Sequence, residues 1–151
     1  MKSRTTLVLV FASLAFLMNC KKESESVQAT IEVSIMNVGF TSWKVVSVNN
    51  SAGFAMLETN NTPFMFEKGR RYRITSLANV AVHPFEFRSG TNEVMLSQNP
   101  MNPGMLANDA SVRFSVEGSS ISFTVSDSFM KGIATYNCAN HNGMKGEVKF
   151  N

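Results

Sequence analysis

The chain has 151 residues, of which 44% are apolar and 17% charged, enough for one domain with a sizeable core and too apolar for a disordered tail. Its formal charge of +3 arises from 14 basic and 11 acidic side chains. Two of the basic ones, Lys2 and Arg4, lie in the first few residues; the remainder is nearly neutral, which gives no case for nucleic-acid binding.

Lys2 and Arg4 precede an uncharged apolar run from Leu7 to Met18. That run is too short for a spanning helix, for which about 20 residues are needed, and suits the core of an export signal. It ends in Leu17-Met18-Asn19-Cys20, which resembles a bacterial lipobox, although Asn19 departs from the small residue usual before the cysteine. Residues 1–19 are therefore expected to be a lipoprotein signal peptide, with Cys20 as the lipidation site. An ordinary secretory signal is the alternative. Several acyl chains on Cys20 would anchor the protein stably, which one chain does not do. Residues 20–27, with Lys21-Lys22-Glu23-Ser24-Glu25-Ser26, form a polar tether. The resulting expectation is an exported protein, periplasmic or attached to the outer membrane of a bacterium.

From residue 28 to residue 151 the pattern is β throughout. Ala29 to Met36 alternates, with Ile31, Val33 and Ile35 on one face. Trp43 to Val48 reads as a second strand and Phe54 to Leu57 as a third. Arg71 to Leu77 and Val80 to Phe87 follow, the latter carrying His83. Val112 to Val116 and Ile121 to Val125 are joined by Glu117-Gly118-Ser119-Ser120, a hairpin signal. Ile133 to Asn137 and Gly146 to Phe150 close the chain. No long stretch has helical periodicity. The expected fold is all-β, a Greek-key β-sandwich of about seven to eight strands. Ser97 to Leu106 is irregular, interrupted by Pro100 and Pro103. Its methionines, Met101 and Met105, together with Met95, could form an accessory thioether site or pack as apolar filler.

The last loop reads Cys138-Ala139-Asn140-His141-Asn142-Gly143-Met144. With Cys20 lipidated, Cys138 has no disulfide partner, and a lone thiol in an exported protein calls for protection. Metal ligation would supply it; an inert buried thiol is the alternative. The chain has two histidines, His83 and His141. One thiolate, two imidazoles and a weak axial thioether make the donor set of a mononuclear electron-transfer copper site. Three of these donors sit on one tight hairpin, and Gly143 and Gly146 are expected to relieve it through positive φ values.

Thr135 to Val148 resembles the ligand loop of the cupredoxins, the plastocyanin, azurin and amicyanin group, with the two-residue spacings of the short amicyanin-type loop. Ala81-Val82-His83-Pro84-Phe85 resembles the family's upstream ligand segment, which follows a strand. The resemblance implies one type 1 copper ion bound by His83 and His141 through Nδ1, by Cys138, and weakly by Met144. Many members have Asn after the upstream histidine, where this chain has Pro84, which lacks an N–H. A donor to the cysteine sulfur must then come from elsewhere, with Asn140 the candidate, and fewer donors would lower the reduction potential.

The function implied is a membrane-anchored carrier that passes single electrons between redox partner proteins, expected to be monomeric and not itself an enzyme. Partner docking near His141 could use Pro84, Met101, Pro103 and Met105. The alternative is a lipoprotein that binds or delivers copper without an electron-transfer partner. A metal-free structural lipoprotein is a third reading. Two histidines are too few for a trinuclear copper centre, and one remaining cysteine is too few for a thiolate-bridged pair.

Overall fold

A computed structural model describes residues 29–151; the expected signal peptide, the expected lipidation site Cys20 and the expected tether lie outside the described residues. Among the described residues, ten strands and one short helix form in the order β1 (Ile31–Val38), β2 (Ser42–Asn49), β3 (Phe64–Phe66), β4 (Arg71–Ser76), β5 (Phe85–Arg88), β6 (Val94–Ser97), β7 (Ser115–Glu117), β8 (Ser120–Thr124), α1 (Asp127–Gly132), β9 (Thr135–Cys138) and β10 (Lys145–Phe150). One five-stranded sheet runs β2-β1-β4-β8-β7 and the other β3-β10-β9-β5-β6. Both are mixed: β1 pairs β4 in parallel and β10 pairs β3 in parallel, while the other pairs are antiparallel. The expected all-β sandwich is found, with more strands than the alternation alone suggests.

Period-two burial builds the core. Ile31, Val33 and Ile35 of β1 and Tyr72 and Ile74 of β4 point inward with at most 1% exposure. They meet an aromatic cluster that joins the sheets. Phe66 of β3 packs edge-on against Tyr72 at 4.7 Å, and Phe87 of β5 against Phe123 of β8 at 5.2 Å. Helix α1 carries the chain from β8 to β9. Ser126 caps it by accepting from Phe129 N at 3.3 Å, and Phe129 stacks on Phe123 at 4.8 Å. Six residues are too few to show a helical period, which is why the sequence conceals it.

Three segments depart from the sequence reading. Val112 to Phe114 does not belong to the hairpin strand, which begins only at Ser115; Val112 lies in a turn and Arg113 has a positive φ of 50°. Phe54 to Leu57 is not a strand: Phe54 is buried, but Met56 and Leu57 are 68% and 52% exposed. Strand β3 forms instead at Phe64–Phe66, beside the last strand. His83 does not lie within a strand and precedes one rather than following it. Asn79 O accepts from both Val82 N (3.0 Å) and His83 N (2.8 Å), and Asn79 Oδ1 from Ala81 N (3.0 Å), so residues 79–83 coil into a turn. Pro84 cannot donate to a ladder, and β5 begins only at Phe85.

Gly146 in β10 faces Tyr136 of β9: a Cβ there would fall 2.2 Å from the Tyr136 ring. The ring cannot retreat. It stacks on Phe64 at 3.9 Å, and its hydroxyl donates to Thr62 O at 2.6 Å. Gly146→Ala is predicted to destabilise the fold by about 1–3 kcal/mol in denaturant titration, the cost of overpacking. Gly90→Ala, where nothing lies within 4 Å, should stay within about 0.5 kcal/mol of the parent.

Candidate metal centre

Strand pairing assembles the centre. In the antiparallel β5–β9 ladder, Phe85 lies opposite Cys138. Ala139 N extends the pairing by donating to Pro84 O at 2.9 Å, and Asn140 Nδ2 donates to Val82 O at 3.0 Å. The turn before β5 is thereby tied to the loop after β9, and His83 is carried to Cys138. Their Sγ and Nδ1 atoms are 3.8 Å apart.

The other donors arrive locally. β9 and β10 are antiparallel neighbours, with Asn137 opposite Lys145. Cys138 N donates to Met144 O at 2.9 Å and Met144 N to His141 O at 3.1 Å, closing the loop. His141 Nδ1 stands 3.3 Å from Cys138 Sγ. Cys138 and Met144 face one another as the next rung beyond Asn137 and Lys145, so their side chains project to the same side of the hairpin. Met144 is fully buried.

One ligand atom from each of His83, Cys138 and His141 lies within 4.8 Å of the other two. His83 and Cys138 are 4% and 2% exposed, and His141 is partly exposed. A metal bonded at about 2.3 Å to sulfur and about 2.0 Å to nitrogen, at angles near 109–120°, separates those atoms by about 3.5–3.7 Å. The observed 3.3 and 3.8 Å straddle that span. The donors are nearly in place for one cation, and the residues fit it.

Electrostatics favour a neutral His83 and a protonated Cys138. Burial, reinforced by the neighbouring His141, lowers the His83 pKa. Burial raises that of the Cys138 thiol, against the backbone N–H groups of Asn140 and His141, which face the sulfur and favour the thiolate. Asn140, the expected replacement for the donor missing at Pro84, therefore acts together with His141. Glu86, 2% exposed and paired with Arg88, adds opposing smaller effects on Cys138.

The two loop glycines serve packing rather than positive φ. Neither Gly143 nor Gly146 is among the positive-φ residues. Gly143 admits Thr41, whose carbonyl oxygen would lie 3.3 Å from an added Cβ, and Gly146 admits Tyr136. Among the methionines considered for an accessory site, Met95 is 7% exposed and its Cε abuts Gly132, whereas Met101 and Met105 are 90% and 68% exposed. Met95 is core filler, set apart by burial from the other two.

Four residues around the centre escaped the sequence reading. Phe40 stacks on both imidazoles, Asn37 Nδ2 approaches His83 Nε2 at 3.4 Å, and Trp43 packs edge-on against His83 at 6.2 Å. Asn61 Nδ2 donates to Gly143 O at 3.0 Å. Their only sequence signal is that Asn37 and Phe40 flank Gly39 between two alternating segments. Comparison with protein-family models and with curated proteins finds no match for the chain.

The burial and raised pKa of Cys138 give a direct test on metal-free protein. At pH 8 it should react at least about tenfold more slowly with a small disulfide reagent than an open peptide thiol does. Its rate should keep rising with pH beyond the usual thiol pKa of about 8.5, because only the thiolate attacks. Fast reaction levelling off below pH 7 would contradict this setting of the thiol.

Proposed function

We propose that the protein is a blue-copper electron carrier held at an extracytoplasmic membrane surface. His83, Cys138 and His141 would bind one copper ion, with Met144 as a weak axial ligand. The observation that carries this reading is the meeting of Cys138 and His141, neighbours on one loop, with His83 from a distant part of an all-β sandwich, their ligand atoms within 4.8 Å of one another. An all-β fold with a His/Cys/His cluster of this kind is compatible with a cupredoxin-like protein. When bound, copper supplies the one-electron couple, and a mixed sulfur and imidazole set suits both of its oxidation states.

The chain's own part is to hold those donors still. Cys138 and Met144 are fixed by the β9–β10 hairpin, and His83 by the ties from Ala139 to Pro84 and from Asn140 to Val82. Donors held this way reorganise little between oxidation states, which favours electron transfer over copper delivery, where release requires the ligands to part. His83 and Cys138 are shut away from water, while the partly exposed His141 offers the short route to a redox partner. Lipidation at Cys20 would place the domain at the membrane through the tether of residues 20–27. No substrate is turned over by the chain itself.

Adding Cu(II) to the protein is expected to give an intense visible absorption from thiolate-to-copper charge transfer and an EPR signal of one bound ion. Cys138→Ser should abolish the colour. Met144→Leu should keep most of it and raise the reduction potential, because removing a weak donor disfavours Cu(II). Colour persisting in the serine variant would show that the ligand assignment is wrong.

A further inference from the structure

The turn between β1 and β2 supplies no metal ligand, yet its aromatic residue lies against both imidazoles. Phe40 stacks on His141 with centroids 4.9 Å apart and planes inclined by 25°, and on His83 at 5.6 Å and 26°. The imidazoles themselves are 4.6 Å apart and inclined by 37°. A ring nearly parallel to both covers the pair. Phe40 is also 62% exposed, so burial in the core does not explain its place.

The turn is braced on both sides. Gly39 adopts φ +54°, and Thr41 donates to Val38 O through its N–H (3.2 Å) and its hydroxyl (3.0 Å). Asn37 Nδ2 spans Gly39 O at 3.1 Å and His83 Nε2 at 3.4 Å. On the other flank, Asn61 exchanges backbone and side-chain bonds with Trp43, its N–H donating to Trp43 O and its Oδ1 accepting from Trp43 N. From there its Nδ2 reaches Gly143 O in the ligand loop. Turn and ligand loop are thus held in one frame, which fixes the backbone that carries Phe40.

We propose that Phe40 is a positioning residue of the metal centre: it holds the ring planes of His83 and His141 in their ligating orientation and covers their faces, so that a bound cation exchanges slowly with solution. The cation in this proposal rests on the copper reading above; the stack does not. Physical chemistry gives the effect a direction. A cation draws electron density from both imidazoles, and the electron-rich face of the phenyl ring then attracts them more strongly than it attracts the metal-free pair. Phe40 therefore stabilises the loaded centre more than the empty one.

Two measurements on the protein and its Phe40→Leu and Phe40→Tyr variants test this. In metal-free protein, NMR of the imidazole ring protons should show ring-current shifts that Phe40→Tyr keeps and Phe40→Leu loses. In loaded protein, transfer of Cu(II), and in parallel of Zn(II), to excess EDTA should be about five- to tenfold faster in Phe40→Leu, as loss of a stack implies. Phe40→Tyr should stay within about twofold of the parent, since its ring can stack equally well. Unchanged shifts in Phe40→Leu, or equal exchange rates in all three proteins, would overturn the proposal. Acceleration with zinc alone, without copper uptake, would sustain the role of Phe40 and refute the copper reading. Failure of the parent to hold either ion would overturn both.

Discussion

The register between β5 and β9 is the constraint on which the centre rests. Phe85 lies opposite Cys138, and the approach of His83 to the sulfur follows from that pairing. Slipping the ladder by one residue would turn the Cys138 side chain from the interior to the outer face. Phe85 and Phe87 would turn with respect to their cross-strand neighbours as well, so the aromatic core and the cluster of donors enforce the same register. Metal chemistry and hydrophobic packing are not separate demands on this sheet. The burial of Phe85, Phe87 and Tyr136, none with measurable exposure, selects the arrangement that brings His83 to the sulfur.

Around that register the site is built in two tiers. The β9–β10 hairpin gathers Cys138, His141 and Met144 with short-range backbone bonds. The turn at residues 79–83 and the turn at residues 37–41 then close over it from more distant parts of the chain. Asn79 shapes the first and Asn37 and Gly39 shape the second. Two of the long-range ties are side chain to backbone, from Asn140 to Val82 and from Asn61 to Gly143, and a third is the backbone bond from Ala139 to Pro84. Amide side chains suit this work because each can donate and accept at once without introducing a charge beside a cation. Burial favours the protonated thiol and a neutral His83, so a cation bound there would take the place of a proton on sulfur.

Much of this was legible in the sequence, for reasons that differ by element. Strand β1 is readable because its one buried face alternates without interruption, and the hairpin of β7 and β8 because Gly118-Ser119 punctuates it. Strands β3 and β6, of three and four residues, are too short to leave a period. The Val80 to Phe87 segment misleads because its apolar residues mimic a strand, while the Asn79 turn and Pro84 prevent one. At the site, Cys138, His141 and Met144 stand out because they are near neighbours in sequence, and His83 because the chain has only one other histidine. Phe40 and Asn61 leave no such trace. A phenylalanine in a turn and an asparagine in a loop acquire their roles only when the β1–β2 turn and the ligand loop come together.

The central claim is that Cys138 and both histidines ligate one copper ion together. X-ray absorption at the copper edge of the loaded protein addresses it most directly. The account predicts a first shell with one short copper–sulfur bond and two imidazole nitrogens, and loss of one imidazole when His83 is replaced by alanine. A shell of oxygen and nitrogen alone, or one indifferent to His83, would contradict it.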